Sequence, residues 1–179
     1  MITKLISYAY LRSECDISQN IPDQELDAKI RWAQDMLKML LGKAFYDQIV
    51  SQFQSSSLSA DNNALFDPYI KQFLSWQSHE DWLIKANFKD TRAGFRVHRE
   101  DNSDPVSDAN MAILIKAAKS KSSTYKNELL GFLNEEQTRS SSKYPLYDPD
   151  CELKTSTGTR ITSVSKRRNE HYKDNCCGC

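Results

Sequence analysis

The residue types that can do chemistry stand in three short clusters of this sequence. His98-Arg99-Glu100, with Cys176 and Cys179, has the His-x-Glu and Cys-x-x-Cys elements of zinc-dependent nucleobase deaminases. In that chemistry the metal activates a water molecule and the glutamate transfers protons. However, no Pro precedes Cys176, and both cysteines stand at the end of the sequence, where a buried active-site helix cannot be built. A metal-dependent nucleic-acid enzyme is therefore kept only as an alternative.

The terminal segment "HYKDNCCGC" is the second cluster. Its imidazole and thiol groups suit zinc or another soft metal. Adjacent cysteines strain tetrahedral coordination, and no second ligand pair stands elsewhere at the spacing of a zinc finger. We therefore expect no metal and no cofactor, and free thiols in a terminal tail. The ligands of the alternative site would be His171, Cys176, Cys177 and Cys179.

The third cluster, His79-Glu80-Asp81, falls within a predicted helix. Consecutive helical residues point in different directions and cannot converge on one reacting atom, so a solvated helix surface is expected. The sequence also lacks a Gly-rich phosphate loop, a serine nucleophile elbow and a separated carboxylate pair. We therefore expect a binding or structural protein and not an enzyme.

Composition limits the class further. The 179 residues carry a formal net charge of zero and are 39% hydrophobic, which suits one domain with part of the chain outside its core. No apolar run approaches the about 18 residues of a membrane span, and the N-terminus lacks the pattern of a signal peptide. Three of the five cysteines stand at the C-terminal end. We expect a protein of a reducing compartment that does not cross a membrane.

Helical spacing dominates the first half of the sequence. Ser7 can cap a short helix over Tyr8 to Cys15, with Leu5 and Leu11 turned inward. Pro22 and the acidic residues after it then suit a helix start, because Pro lacks the N–H that this position leaves unpaired. Gly42 is expected to end or bend this helix. Its apolar face is predicted to comprise Leu26, Ile30, Ala33, Leu37, Leu40 and Leu41.

Two further helices are predicted after a polar loop, "QSSSLSADNN". One opens or re-opens at Asp67-Pro68 and ends near Asn87. The other starts at Asp104-Pro105 and ends near Gln137, and its apolar face is predicted to comprise Val106, Ala109, Ile113, Ala117, Tyr125, Leu129 and Phe132. Between them, alternation around Phe95 and Val97 predicts a short strand or hairpin arm over Ala93 to Asp101.

The helix that follows Pro22 has a second apolar stripe. At 100° per residue, Trp32, Met36 and Met39 lie to one side of the Leu and Ile face. The stripe is either covered by the other helices or meets another subunit. We hypothesise that these three residues bind a partner.

Residues 141–179 are predicted to form an extended C-terminal tail after a helical domain over residues 1–140. The apolar period is lost there, so we expect order only on a partner. Tyr144, Leu146 and Tyr147 are the predicted anchors. Lys166, Arg167 and Arg168 are expected to attract an acidic surface or DNA, which leaves a basic-tailed DNA-binding protein as another alternative.

Three stretches carry a resemblance: "ISQNIPDQELDAKIRWAQDMLKMLLGKAFYDQI", "DTRAGFRVHREDNSDPVSDANMAIL" and "TYKNELLGFLNEE". Over residues 1–137 the chain resembles head–tail connector (adaptor) proteins of tailed phages, in particular phages of Bacteroidetes, including crAss-like phages. None of the shared elements is catalytic, and their order and spacing carry the likeness. They are Asn20, Ile21 and Asp23, Ala33-Gln34, Leu41-Gly42, Ala93-Gly94-Phe95, and the helix end from Tyr125 to Leu133.

This resemblance implies a mainly α fold, a small helical bundle with a short β-hairpin or arm and an extended tail. It also implies that the arm, with Phe95 and Val97, projects toward a neighbour or the lumen. It implies a non-enzymatic virion protein that forms a ring, usually of twelve copies, beneath the portal. Its partners would be the portal and adjoining neck or tail proteins, with DNA passing through the lumen without sequence recognition. Its expected location is the neck of the virion, assembled in the cytoplasm of the bacterial host.

Overall fold

The chain is mainly α-helical. The computed structural model describes residues 3–86, 88–91, 94–97, 108–140 and 143–147. The helices are α1 (Tyr8–Cys15), α2 (Asp23–Leu41), α3 (Lys43–Gln54), α4 (Ala60–Leu65), α5 (Lys71–Ala86) and α6 (Asp108–Arg139). A π-helical segment, Phe66–Ile70, joins α4 to α5. The predicted fold class of a mainly α protein is therefore confirmed.

The starts of the first two helices follow the local chemistry of the sequence. The Oγ of Ser7 accepts a hydrogen bond from the backbone N–H of Tyr10 at 3.1 Å, as expected of an N-cap. Pro22 is the N-cap residue of α2, and two acids stand in the first turn beyond it. Gly42 ends α2 with φ of 76°, a backbone conformation that glycine adopts without steric cost.

One hydrophobic core joins these helices. The inward face of α2 is fully buried as predicted, apart from Leu40, which is only partly buried. The core also contains side chains from the segment before α1, from α3 to α6 and from the segment after α6. Its largest fully buried members include Leu5, Leu11, Leu37, Phe45, Phe66, Phe73 and Tyr144.

Pro68 was predicted to open or re-open a helix, and it lies inside a continuous helical stretch between α4 and α5 and not at a free helix start. Helix α4 begins earlier, at Ala60, where the Oγ of Ser59 accepts from the N–H of Asn62 at 3.2 Å. Proline has no N–H to donate and its ring clashes with the carbonyl four residues earlier in a regular helix. The π-helical turn around Pro68 widens the backbone spacing there. The expected loop of residues 54–63 is therefore shorter than predicted.

Helices α5 and α6 run antiparallel. The Oγ of Ser122 donates to Oε1 of Gln77 at 2.9 Å, and nearer the other end the rings of Tyr69 and Phe132 stack with centroids 4.7 Å apart. Moving forward along α5 therefore means moving backward along α6. The C-terminal end of α5 and the first turns of α6 lie at the same end of the bundle.

The region between α5 and α6 differs in its bounds from the predicted arm. Strand β1 (Phe88–Thr91) pairs antiparallel with β2 (Gly94–Val97), with Phe88 opposite Val97. The expected arm over residues 93–101 is not seen with those bounds, and residues 98–107 lie outside the described part of the chain. Phe95 and Val97 are in β2, and their role in partner binding stays a prediction.

The predicted apolar face of the last helix is wrong in its first half. Ala109, Ile113 and Ala117 are exposed, while the buried positions begin at Ala118 and continue through Leu129 and Leu133. Val106 lies outside the described residues. The helix has 32 residues and is about 48 Å long, and Ala118 is the first buried residue among its described side chains.

Candidate functional site

The outer side of α2 is the clearest candidate for a functional surface. Trp32 is 48% exposed and Met39 is 39% exposed, although both are large and apolar. Met36, between them, is partly buried against the edge of the core. The helical period places Ala28, Trp32, Met36 and Met39 along one line on the side away from the core, and we name this line the α2 stripe. None of the described neighbouring helices covers it.

Buried polar contacts fix how α2 is rotated, so the stripe must face outward. The buried Gln34 accepts from the N–H of Leu5 at 2.9 Å and donates to the carbonyl oxygen of Thr3 at 2.9 Å and to the hydroxyl of Tyr46 at 3.1 Å. Leaving such groups unpaired would cost about 1–3 kcal/mol each. A rotation that buried Trp32 would break all three bonds.

An ion pair also fixes the position of α2 against α5. The ammonium of Lys29 lies 2.8 Å from Asp81, and both side chains are largely buried. Burial lowers the pKa of Lys29, and the bond to Asp81 opposes that shift. The hydroxyl of Ser78 also lies 3.4 Å from the carbonyl oxygen of Lys29, as a weak hydrogen-bond donor. The stripe is thus carried on a rigid helix, which suits a preformed binding surface.

A second exposed apolar surface lies at the end of the bundle where α5 meets the start of α6. Ile113 is 65% exposed and Leu114 is 47% exposed, while Ile84 at the end of α5 is also exposed. We name Ile113 and Leu114 the α6 tip. This surface was not predicted, because Ile113 was placed on the apolar face of the last helix. A usable signal was the run "AILI", which is apolar on every side of a helix.

A charged cluster around Asp27 closes the N-terminal segment onto α2. Lys4 lies 2.6 Å from Asp27, and the hydroxyl of Tyr8 donates to Asp27 at 2.9 Å. With Arg31, which also pairs with Asp27, they line an open surface cleft. Hydrogen bonds from Lys4 and Tyr8, with a smaller effect of Arg31, lower the pKa of Asp27 to about 2. A carboxylate with so low a pKa is a weak base, so the cluster is suited to holding structure and not to proton transfer.

His79, Glu80 and Asp81 do not converge on one point, as predicted, but they are not a solvated surface. His79 lies between Trp76 and Trp82, at centroid distances of 5.5 and 5.9 Å. Burial, with a smaller effect of Lys121, lowers the pKa of His79. Aromatic packing on α5 accounts for the difference, because the helix period brings every third residue together.

Cys15 is a buried free thiol at the end of α1. Its Sγ lies 3.5 Å from the carbonyl oxygen of Ser75, and burial raises its pKa to about 12. The thiolate is the reactive form of cysteine, so this thiol is chemically inert at neutral pH. Its side chain contributes to packing between α1 and α5.

Tyr144 and Tyr147 are not free anchors, which corrects the predicted tail. Both are buried in the core, where their rings pack against Phe45 with centroids 5.6 and 6.3 Å away. The hydroxyl of Tyr144 also donates to the carbonyl oxygen of Asp61 at 2.9 Å. Two aromatic rings supply enough apolar area to order this short segment on its own domain. Leu146 between them is 44% exposed, and its role as an anchor stays a prediction.

The remaining predicted groups fall outside the described residues. They comprise His98, Glu100, His171, Cys176, Cys177 and Cys179 of the alternative metal site, and Lys166, Arg167 and Arg168 of the basic segment. Within the ranges that the structure describes, no group of three or more His, Cys, Asp or Glu side chains is arranged to hold a metal ion. None of the described helices is both long and apolar enough to cross a membrane.

The structure defines a helical protein with apolar side chains exposed on a rigid helix. The chain belongs to a family of unknown function (DUF6712), whose profile matches residues 37–157. That span runs from the last turns of α2 through the buried Tyr144 and Tyr147. Searches of curated proteins and of solved structures find no match to this chain.

Proposed function

We propose that this protein is a structural ring component of a phage neck, which joins the portal to the tail and lets DNA pass through its lumen. The observation that carries the proposal is the α2 stripe, with Trp32 and Met39 exposed on a helix whose rotation is fixed. The resemblance to head–tail connector proteins supplies the class of assembly.

The physical argument concerns the cost of an exposed stripe. Water-exposed Trp and Met side chains are enriched in protein interfaces, where burial of each contributes about 1.5–3 kcal/mol. Single exposed apolar residues are ordinary, but here the exposed pair lies on one line with Met36 and Ala28. A surface of this kind favours contact with another protein over contact with a small substrate.

The other parts of the proposal concern partners. We propose a ring of twelve copies around the neck. The portal would contact this ring on one side, and an adjoining neck or tail protein would contact it on the other. The β1–β2 segment would face a neighbour or the lumen, and Leu146 would add an apolar contact. Lys166, Arg167 and Arg168 would give salt-sensitive attraction to an acidic surface or to passing DNA.

Purified tailed particles that contain the chain provide the test of this proposal. Mass spectrometry should find the chain as a stoichiometric component, and immunogold labelling should place it at the head–tail junction. Absence from purified particles would contradict the proposal. Metal analysis of the full chain separates it from the deaminase-like alternative, which requires stoichiometric zinc.

The role of the α2 stripe in assembly can be tested in the same particles by introducing one charged residue into it. Trp32→Glu should block incorporation into the neck while leaving helicity unchanged, because a charge is costly in a dry interface and harmless on an exposed helix. Trp32 is a better choice than Met36, whose partial burial would confuse folding with assembly. Ala44→Glu adds the same charge at an exposed position of α3 and should be incorporated normally.

A further inference from the structure

The α2 stripe and the α6 tip lie on two different helices that both pack on α5, and they share no residue. Helix α2 packs on α5 through the pair of Lys29 and Asp81, and α6 packs on α5 through Gln77 and Ser122. One copy of the chain can therefore use both surfaces at once, each toward a different neighbour.

The charges beside the two surfaces have opposite signs. Glu25 and Asp35 lie along the α2 stripe at helical spacing from Trp32 and Met39, and both are exposed. Lys116 and Lys119 follow the α6 tip on the next turns of the same helix and are also exposed. Within the described part of the chain, none of these four side chains takes part in an ion pair.

We propose that the α2 stripe of one copy packs against the α6 tip of the next copy in a head-to-tail contact. The inference rests on the proposed ring function and names the surfaces that would form the ring. Pairing of unlike surfaces places Glu25 and Asp35 beside Lys116 and Lys119. Pairing of either surface with itself would bring like charges together, which is unfavourable in an interface.

A head-to-tail contact has a consequence that a symmetric dimer does not share. Each copy keeps one unused surface after pairing, so the contact repeats until a ring closes or a filament grows. Each surface is one helix wide, whereas stable interfaces bury about 1,200–2,000 Å² in total. A single contact is therefore weak, and a closed ring, in which every copy has two contacts, is favoured over the open pair.

The test uses two variants that each block one surface. Trp32→Gln/Met39→Gln removes the apolar side chains of the α2 stripe, and Ile113→Gln/Leu114→Gln removes those of the α6 tip. Glutamine is neutral and a good helix former, so both variants should fold, which far-UV circular dichroism and the thermal midpoint would check. Each double change should weaken self-association by about 100-fold, since each buried apolar side chain contributes about a factor of ten.

Sedimentation velocity of the full chain across a concentration series gives the readout. The wild type should form species larger than a dimer, and each variant alone should stay monomeric. At the highest concentrations of the series, an equimolar mixture of the two variants should form a one-to-one dimer and nothing larger, because only one intact stripe and one intact tip remain to meet. A wild type that stays monomeric, a variant that assembles normally or a mixture that stays monomeric would overturn the pairing.

Charge reversal tests the choice of surfaces. Glu25→Lys/Asp35→Lys should weaken self-association, and so should Lys116→Glu/Lys119→Glu. A chain that carries all four changes should recover most of the loss, because opposite charges face each other again. If the chain with all four changes does not recover its self-association, the pairing is contradicted.

The pairing and the proposed function can fail separately. If the chain is found in tailed particles but neither blocking variant changes its self-association, the neck function is supported and the pairing is contradicted. If the mixture forms the one-to-one dimer but the chain is absent from those particles, the pairing is supported and the neck function is contradicted.

Discussion

The two faces of α2 have similar residue types and opposite surroundings. The inner face buries Leu26, Ile30 and Leu37 completely, while Trp32 and Met39 on the outer face remain largely in contact with water. The hydrophobicity of single residues does not explain this difference in exposure, because a tryptophan side chain has a larger apolar surface than any residue on the inner face. The polar bonds of Gln34 and the pair of Lys29 with Asp81 hold the helix in this rotation.

The segment after α6 repeats the contrast over four residues. Tyr144 and Tyr147 are buried against Phe45, and Leu146 between them is exposed. The difference follows from where the chain passes over the bundle, since a turn can direct alternate side chains to opposite sides. Both comparisons separate apolar residues that hold the fold from apolar residues that are free for a partner.

The largest expected effect is at Tyr144. Tyr144→Ala should lower the free energy of unfolding by about 3–5 kcal/mol, because it removes a fully buried ring and leaves a cavity. Leu146→Ala is the matched control and should change the free energy of unfolding by about 0.5 kcal/mol or less. Urea denaturation followed by circular dichroism measures both. Equal effects would show that the segment does not pack as described.

The second prediction compares the two faces of α2 directly. Leu37→Ala should lower the free energy of unfolding by about 2–5 kcal/mol, whereas Met39→Ala should change it by about 0.5 kcal/mol or less. The measurement is urea denaturation at a concentration where the chain is monomeric. A large loss for Met39→Ala in the monomer would mean that the outer stripe contributes to the fold and is not free.

The smallest expected effect concerns the Asp27 cluster in acid. The pKa of Asp27 is lowered from 3.8 to about 2. The cluster therefore stabilises the fold fully at a pH above 3.8, and this contribution is lost as the pH falls from 3.8 through about 2. The wild type should therefore lose stability between these two pH values to a greater extent than Asp27→Asn. The urea midpoint measured across the acidic range checks this. Added salt should reduce the difference, because the cluster is exposed to solvent.

The sequence predicted the elements that depend on local chemistry. The cap at Ser7 and the start of α2 after Pro22 were correct, because each depends on groups within a few residues. Of the two outcomes left open at Gly42, an end or a bend, the structure has the end. The inner face of α2 was also correct, since one face of a helix must be buried and the period identifies it. The second stripe, with Trp32 and Met39, was visible in the same period.

The errors arose where a choice depended on residues far away in the sequence. Pro68 was read as a helix start, although the helix accommodates it in a π-helical turn. Ile113 was placed on the apolar face of the last helix, but it is exposed at the end of the bundle. Helical period states which residues share a face and gives no information on how far the neighbouring helices extend.

The sequence by itself determined a mainly helical chain, its caps and two apolar faces on α2, because propensity, capping and period act over a few residues. Three outcomes required the packed molecule: the outer face of α2 stays uncovered, Ile113 and Leu114 stay exposed at the end of the bundle, and Tyr144 and Tyr147 belong to the core. Those outcomes depend on contacts such as that between Tyr144 and Phe45, which lie far apart in the chain. Burial is a property of the whole packed molecule, and no local pattern specifies what lies on the other side of an apolar face.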